Sequence, residues 1–195
     1  MNEQEALSAV KEALKPQRYE HTLRVTETAE QLCHVYGGNL QKIRLASILH
    51  DYAKYRSASE MRNTVKEEAD LPDQLLDFGD ELLHSFVGAF YVKKELGIAD
   101  KDVLQMIASH TTGREQMSLE EEIVFLADYI EPGRTFPGAA EARKASKVSL
   151  EAGCLSALSQ TITFLVSKRI SVYPDTFAAY NYYIMKRKDD FFNGK

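Results

Sequence analysis

The sequence predicts an all-α fold in a single domain spanning residues 1–195. Three observations carry that expectation. Apolar residues recur three and four apart along most of the chain, helix-starting and helix-stopping residues stand at the ends of those patterns, and no stretch shows the sustained alternation of a half-buried strand. No glycine-rich loop joins a strand to a helix, and no internal repeat is visible. With 195 residues and 44% hydrophobic content, the chain is long enough to bury a core without disulfides or structural metal.

Each element follows in order. The opening residues, MNEQEALSAVKEALK, are amphipathic and charged and lack the apolar run of a signal peptide. Val25, Ala29, Leu32, Cys33 and Tyr36 share one helical stripe, bounded by Pro16 in front and Gly37-Gly38 behind. The segment 39–52 is apolar on most sides through Leu40, Ile43, Leu45, Ala46, Ile48 and Leu49, which marks a central helix packed by neighbours. The acidic stretch EEADLPDQLLDFGDE reads as caps and solvated loop. Further helices are expected at about 58–68, 81–96, 100–110, 118–131, 149–169 and 175–191. Ser118 with Glu121 forms a capping box, Asp100 and Asp175 are N-caps, and Gly97 and Pro132-Gly133 are stops.

Composition excludes several classes of function. The balance of 24 basic against 29 acidic residues leaves a net charge of -5, which argues against broad binding to nucleic acid or an anionic membrane. An anionic ligand must instead meet locally concentrated positive charge. The two cysteines, Cys33 and Cys154, lie far apart without metal or redox spacing and read as small apolar residues in a reducing compartment. No apolar run of bilayer-spanning length is apparent, so a cytoplasmic location is expected.

Against this background the words ILHDYAKY and FLADYIEP are anomalous, because each sets ionisable residues into an apolar segment. Burying an unpaired polar group costs on the order of several kcal/mol, so His50, Asp51 and Asp128 need partners or a metal. Three more histidines share inward faces by helical spacing: His21 with Val25, His84 with Val87, Gly88 and Tyr91, and His110 with Val103 and Ile107. His34, beside Gln31 near a helix end, reads as a surface residue. Taken singly, each inward residue is more often a hydrogen-bonded core side chain. Together they point to a shared site, and imidazole mixed with carboxylate suits iron, manganese, cobalt or zinc better than magnesium or calcium. His50 and Asp51 are adjacent, so they can converge on one ion only near a helix surface or end.

The order His21, His50-Asp51, Asp128 resembles the metal-binding signature of the HD-domain phosphohydrolases, an all-α superfamily of helical bundles. More closely, RYEHTLRV, LHDYAK, LLHSFVGA, SHTTGREQMS, FLADYIEPGRTFPG and YPDTFAAYNYY together resemble the bacterial symmetrical bis(5'-nucleosyl)-tetraphosphatases of the YqeK type. The resemblance runs from about Arg18 to Tyr183. It implies metal-dependent hydrolysis of diadenosine tetraphosphate to two ADP, with His21, His50, Asp51 and Asp128 as metal ligands. Iron is the favoured metal, and manganese or cobalt suits the same donors. A metal so held would lower the pKa of a bound water and polarise a phosphoryl oxygen for in-line attack, with Asp51 orienting that water.

A tetraphosphate also needs cationic contacts. Lys54, one turn past His50, can reach the reacting phosphate and is taken as catalytic with Asp51. Arg18 lies one turn before His21, and Arg134 follows Asp128 with the fork geometry that matches phosphate. Thr111 and Arg114 in HTTGR extend the candidate substrate surface. Tyr173 and Thr176, at a helix start, can offer a stacking face and backbone N–H donors, although packing competes for Tyr173. His84 and His110 are read as substrate contacts, with a second metal held open. In FAAYNYY the aromatic cluster can contribute to a homodimer interface, with intramolecular core as its competing use. Two alternatives to the tetraphosphatase remain: the same chemistry on another nucleotide such as a nucleoside monophosphate, and a non-catalytic helical module that binds nucleotide.

Overall fold

The architecture, a computed structural model, describes residues 1–193, with side chains described through residue 186. Among the described residues there is no strand, and ten α-helices follow one another: α1 (Glu3–Ala13), α2 (Pro16–Tyr36), α3 (Leu40–Leu49), α4 (Ala58–Glu67), α5 (Leu83–Leu96), α6 (Lys101–Ser109), α7 (Leu119–Ile130), α8 (Pro137–Ser146), α9 (Leu150–Ser167) and α10 (Pro174–Asn193). The starts are set by side chains that take up the free N–H groups of the first turn. Asn2 and Ser118 form capping boxes with Glu5 and Glu121, while Asn39, Ser57, Asp100 and Ser149 each accept from a backbone N–H. Helix α5 ends where Gly97 takes φ +71°, a left-handed conformation that favours glycine.

Helix α3 occupies the centre and packs against α1, α2, α6 and α7. Ile43, Ala46, Ile48 and Leu49 are fully buried there, and Val25, Ala29, Ile107, Val124 and Leu126 close the core around them. The helix stops at Leu49, shorter than the 39–52 segment expected, and His50 to Tyr55 continue as turns.

The acidic stretch differs from the solvated loop expected of it. It forms two 3-10 turns, Asp73–Asp77 and Asp80–Leu82. Leu75, and Leu83 just beyond, are fully buried in a second apolar cluster with Ala53, Met61, Val65, Val87, Tyr91 and Tyr173. Leu71, Leu76 and Phe78 of the stretch pack against the same cluster, so its apolar residues anchor a segment that composition marks as acidic.

Helix α8 has no counterpart in the sequence reading. It buries only small groups, Gly138, Ala139, Ala142 and Ser146, so it lacks the large apolar residues that make a helical stripe visible. Its partner α9 comes close: a Cβ on Gly153 would lie 2.7 Å from Leu126 Cδ2 and 2.9 Å from Ser146 Cβ. Among the described residues α9 is also long and apolar enough to cross a membrane, with mean hydropathy 1.2, contrary to the expectation of no such run. Its first half packs through Leu150, Cys154, Leu155, Ala157 and Leu158, while Phe164 and Val166 are 56% and 59% exposed.

Candidate metal and phosphate site

Five helices deliver the site. His21 comes from the second turn of α2 and His84 from the start of α5. His50-Asp51 and His110 come from the C-terminal ends of α3 and α6, and Asp128 from the last turns of α7. The end of α3 is what lets two consecutive residues converge. Beyond Leu49 the chain tightens into i→i+3 bonds, Tyr52 N to Leu49 O at 3.0 Å and Lys54 N to Asp51 O at 2.8 Å. His50 and Asp51 are both fully buried.

Each inward imidazole is tethered through Nδ1. His50 donates to Ser47 O at 2.6 Å, His84 to Glu81 O at 2.7 Å and His110 to Ile107 O at 2.7 Å, all three residues back on their own turns. His21 Nδ1 meets Glu131 Oε1 at 3.0 Å. Since these acceptors carry no proton of their own, Nδ1 holds the hydrogen and each Nε2 presents a lone pair to the centre.

Asp51 stands between two groups of imidazoles. Its Oδ2 lies 2.9 Å from His50 Nε2 and 3.7 Å from His21 Nε2, and its Oδ1 lies 3.2 Å from His84 Nε2. His84 and His110 face each other, Nε2 to Nε2, at 3.2 Å. Asp128 Oδ1 completes the first group, 3.0 Å from His21 Nε2 and 3.9 Å from His50 Nε2. His21, His50 and Asp51 form one cluster able to hold an ion, and Asp51, His84 and His110 form another.

The electrostatics agree with a cation site. Burial alone would raise Asp51, but the neighbouring His50 and His84 outweigh it and hold the carboxyl well below the usual range. Burial is likewise overcome at Asp128 by His21 and Arg134. Burial opposes charge on His50, yet Asp51 and Asp128 raise it, whereas burial and two neighbouring imidazoles push His110 down to about 3. Despite these short separations, His21 Nε2, His50 Nε2 and Asp51 Oδ1 make no hydrogen bond of acceptable geometry. Buried atoms so aimed are costly unless a cation compensates, and imidazole with carboxylate is a donor set for a divalent transition metal.

The residues expected to meet phosphate divide into groups. Arg18 Nε pairs directly with Asp51 Oδ2. Lys54 Nζ lies 3.5 Å from His84 Nδ1 and 3.6 Å from Glu81 Oε2. Arg134 Nη2 lies 2.8 Å from Asp128 Oδ1, and Thr111 Oγ1 lies 3.1 Å from His110 Nε2. Arg114 is committed elsewhere: its Nε and Nη2 meet Glu121 Oε1 and Oε2 at 2.7 and 2.5 Å, tying the loop after His110 to the start of α7. Tyr173 is buried against Phe78 and Phe86, ring centroids 5.1 and 5.5 Å apart, so packing occupies it; Thr176 is buried nearby. His34 is exposed, as expected.

Glu131 is the residue that sequence reasoning missed. It is 1% exposed and holds His21, Arg24 Nε at 2.6 Å and the Gly133 amide at 2.6 Å. It caps the C-terminal end of α7 just before Pro132-Gly133, a position that carries no mark of burial in the sequence.

A helical bundle whose helix ends converge His21, His50-Asp51 and Asp128 on one buried point defines a class, and the family model supplies its name. The HD domain matches residues 18–133, and the chain belongs to that family. It is most fully similar to named relatives over nearly its whole length. The chain is 50% identical over 188 residues to the symmetrical bis(5'-nucleosyl)-tetraphosphatase of Halalkalibacterium halodurans, covering 96% of this chain and all of that one. It is 42% identical to the enzyme of the same name from Bacillus subtilis, covering 94% and 98%. The crystal structure of an HD superfamily hydrolase from Clostridium acetobutylicum, described as involved in NAD metabolism, superposes with a TM-score of 0.89 at 36% identity, covering 95% and 98%. Family and cluster together mark a divalent-metal protein.

Proposed function

We propose that this chain hydrolyses diadenosine tetraphosphate symmetrically to two ADP. The observation that carries the reading is the buried Asp51 between His21–His50 and His84–His110, in a chain alike over almost its full length to the symmetrical tetraphosphatases. His21, His50, Asp51 and Asp128 would hold the metal, taken as iron, with manganese or cobalt suited to the same donors. When bound, such an ion supplies Lewis acidity and lowers the pKa of water.

The remaining work falls to the chain's own groups. Asp51 offers Oδ1, free of a hydrogen bond, to orient the attacking water. Lys54 neutralises phosphoryl oxygens on the His84 side of Asp51, Arg18 does so on the side of Asp51 Oδ2, and Arg134 beside Asp128. His84, His110 and Thr111 line the phosphate path, or the two histidines hold a second ion with Asp51. Cleavage adds water across the central P–O–P bond, so each product leaves as a nucleoside diphosphate. The net charge of -5 supports a small substrate over nucleic acid or an anionic membrane, and a cytoplasmic location fits the same reading.

The test is direct. The protein is stripped of metal, reloaded with ferrous iron without oxygen and given diadenosine tetraphosphate, and the nucleotides are separated. ADP alone, formed only with metal, supports the proposal. AMP with ATP, or no turnover, rejects it and leaves another nucleotide, in keeping with the Clostridium acetobutylicum relative's description, to be found by product analysis across a panel.

A further inference from the structure

We infer that Arg143, on α8, is a positioning residue for the phosphate contact Arg134 and acts through the turn that follows α7. The inference rests on the reading of Arg134 as a group that meets phosphate, and it adds the residue that sets where Arg134 can reach. Helix α7 ends without a closure of its own. Its C-cap, Glu131, stands at φ -51° and ψ 151°, not in the left-handed conformation that closes many helices, and Pro132 brings no N–H to the end. No basic residue stands in the last turn of α7, so the carbonyls there need donors from elsewhere in the chain.

Arg143 supplies them. Its Nε donates to Ile130 O at 2.7 Å, and its Nη2 donates both to Glu131 O at 2.6 Å and to Arg134 O at 2.7 Å. One nitrogen thus ties together the first and last residues of the turn 131–134, which the bond from Arg134 N to Glu131 O at 2.9 Å also closes. A cation at this end is favoured by the negative pole of the α7 dipole. Arg24 approaches the same turn: a Cβ on Gly133 would lie 2.6 Å from Arg24 Nη2, and Arg24 Nε donates to Glu131 Oε2. Two guanidinium groups therefore hold it. From this turn the Arg134 side chain folds back onto α7, Nε donating to Asp128 O at 3.1 Å and Nη2 to Asp128 Oδ1 at 2.8 Å. Its direction follows from the Arg134 backbone, which Arg143 fixes. Helix α8 can deliver Arg143 because Gly138, in its first turn, lets it approach α7; a Cβ there would lie 2.8 Å from Tyr129 Oη. A lysine ammonium, a point charge without the rigid fork, does not reproduce this spacing of donors.

The test titrates imidodiphosphate, an analogue of pyrophosphate that resists cleavage, into the manganese-loaded protein by calorimetry, beside thermal melts. Arg134→Met should weaken binding about tenfold, as loss of a charge-assisted contact does, and Arg143→Met should weaken it by a similar factor. Adding Arg143→Met to Arg134→Met should change the affinity no further, because the group it positions is gone, while Tm falls with Arg143→Met in both backgrounds. Arg143→Lys keeps the charge and should not restore the affinity; it carries the same comparison if Arg143→Met does not fold. A lowered Tm with unchanged affinity, or a loss of affinity that persists in full in Arg134→Met, would make Arg143 a structural cap and overturn the inference. Wild-type affinity in Arg143→Lys would assign the effect to charge alone and overturn it too. If Arg134→Met binds as wild type does, the phosphate reading of Arg134 fails and the inference with it. If the wild-type protein leaves diadenosine tetraphosphate intact while Arg143 and Arg134 prove coupled, the functional reading fails and the inference stands.

Discussion

Glu131 Oε1 lies 3.0 Å from His21 Nδ1, joining the end of α7 to the second turn of α2. The same carboxylate accepts from Arg24 and from the Gly133 amide, so its position is over-determined. A carboxylate behind a ligating imidazole fixes its tautomer and raises its basicity. Glu131→Gln should therefore weaken metal binding roughly 10- to 100-fold with the helical content retained. Calorimetric metal titration measures this, and an unchanged affinity would make Glu131 purely structural.

Asp51 touches both imidazole groups, and no neighbouring carboxylate occupies its position between them. Asp51→Ala should abolish activity and strip the bound metal while the circular dichroism of the bundle is kept, and His50→Ala should behave likewise. Metal analysis beside the activity assay checks both. A fully active, metal-free Asp51→Ala protein would remove the mechanism.

Lys54 sits beside His84 without a short ion pair. Lys54→Ala should lower kcat/KM on the order of tenfold or more through loss of a charge-assisted contact to phosphate, with metal content near that of the wild type. Loss of the metal would place Lys54 in the ion's support instead.

Arg114 was expected at the substrate, yet its guanidinium is held by the buried Glu121. Arg114→Ala should cost about 2 kcal/mol of stability by leaving Glu121 with fewer partners, and should move KM little. Thermal melts and steady-state kinetics separate the two roles, since a raised KM with an unchanged Tm would return Arg114 to the substrate.

Away from the site, burial pushes the Glu122 carboxyl up, although Tyr183 Oη donates to it at 2.6 Å. The folded state keeps this proton to higher pH than the unfolded chain does. Its contribution to stability is therefore full below the ordinary glutamate pKa and is lost as pH rises through the raised value. Glu122→Gln should match wild type near pH 4 and melt higher near pH 8, by on the order of 2 °C. Equal Tm values at both pH values would show that the carboxylate is not strained.

Much of the site was legible because its residues violate local patterns. His50 and Asp51 interrupt an apolar segment, Asp128 interrupts another, and His21, His84 and His110 occupy inward helical positions; the structure brings all six together. Glu131 broke no pattern, because an acid after a helix and before Pro132-Gly133 looks like an ordinary surface residue until its burial is seen. Arg114 misled for the opposite reason. Its loop has the composition of a phosphate contact, and only the position of Glu121 in the first turn of α7 shows where its charge is used.

The sequence by itself determined the all-α architecture, most helix ends and the set of inward ionisable residues, since caps, stops and 3.6-residue periodicity act over a few neighbours. The tertiary structure alone decided that α3 ends at Leu49 so that His50 and Asp51 converge, that Asp51 faces two imidazole groups, that Leu75 anchors an acidic segment and that α8 exists. Those features depend on which distant surfaces meet. Burial and electrostatic pairing between helices far apart in sequence carry no local signal.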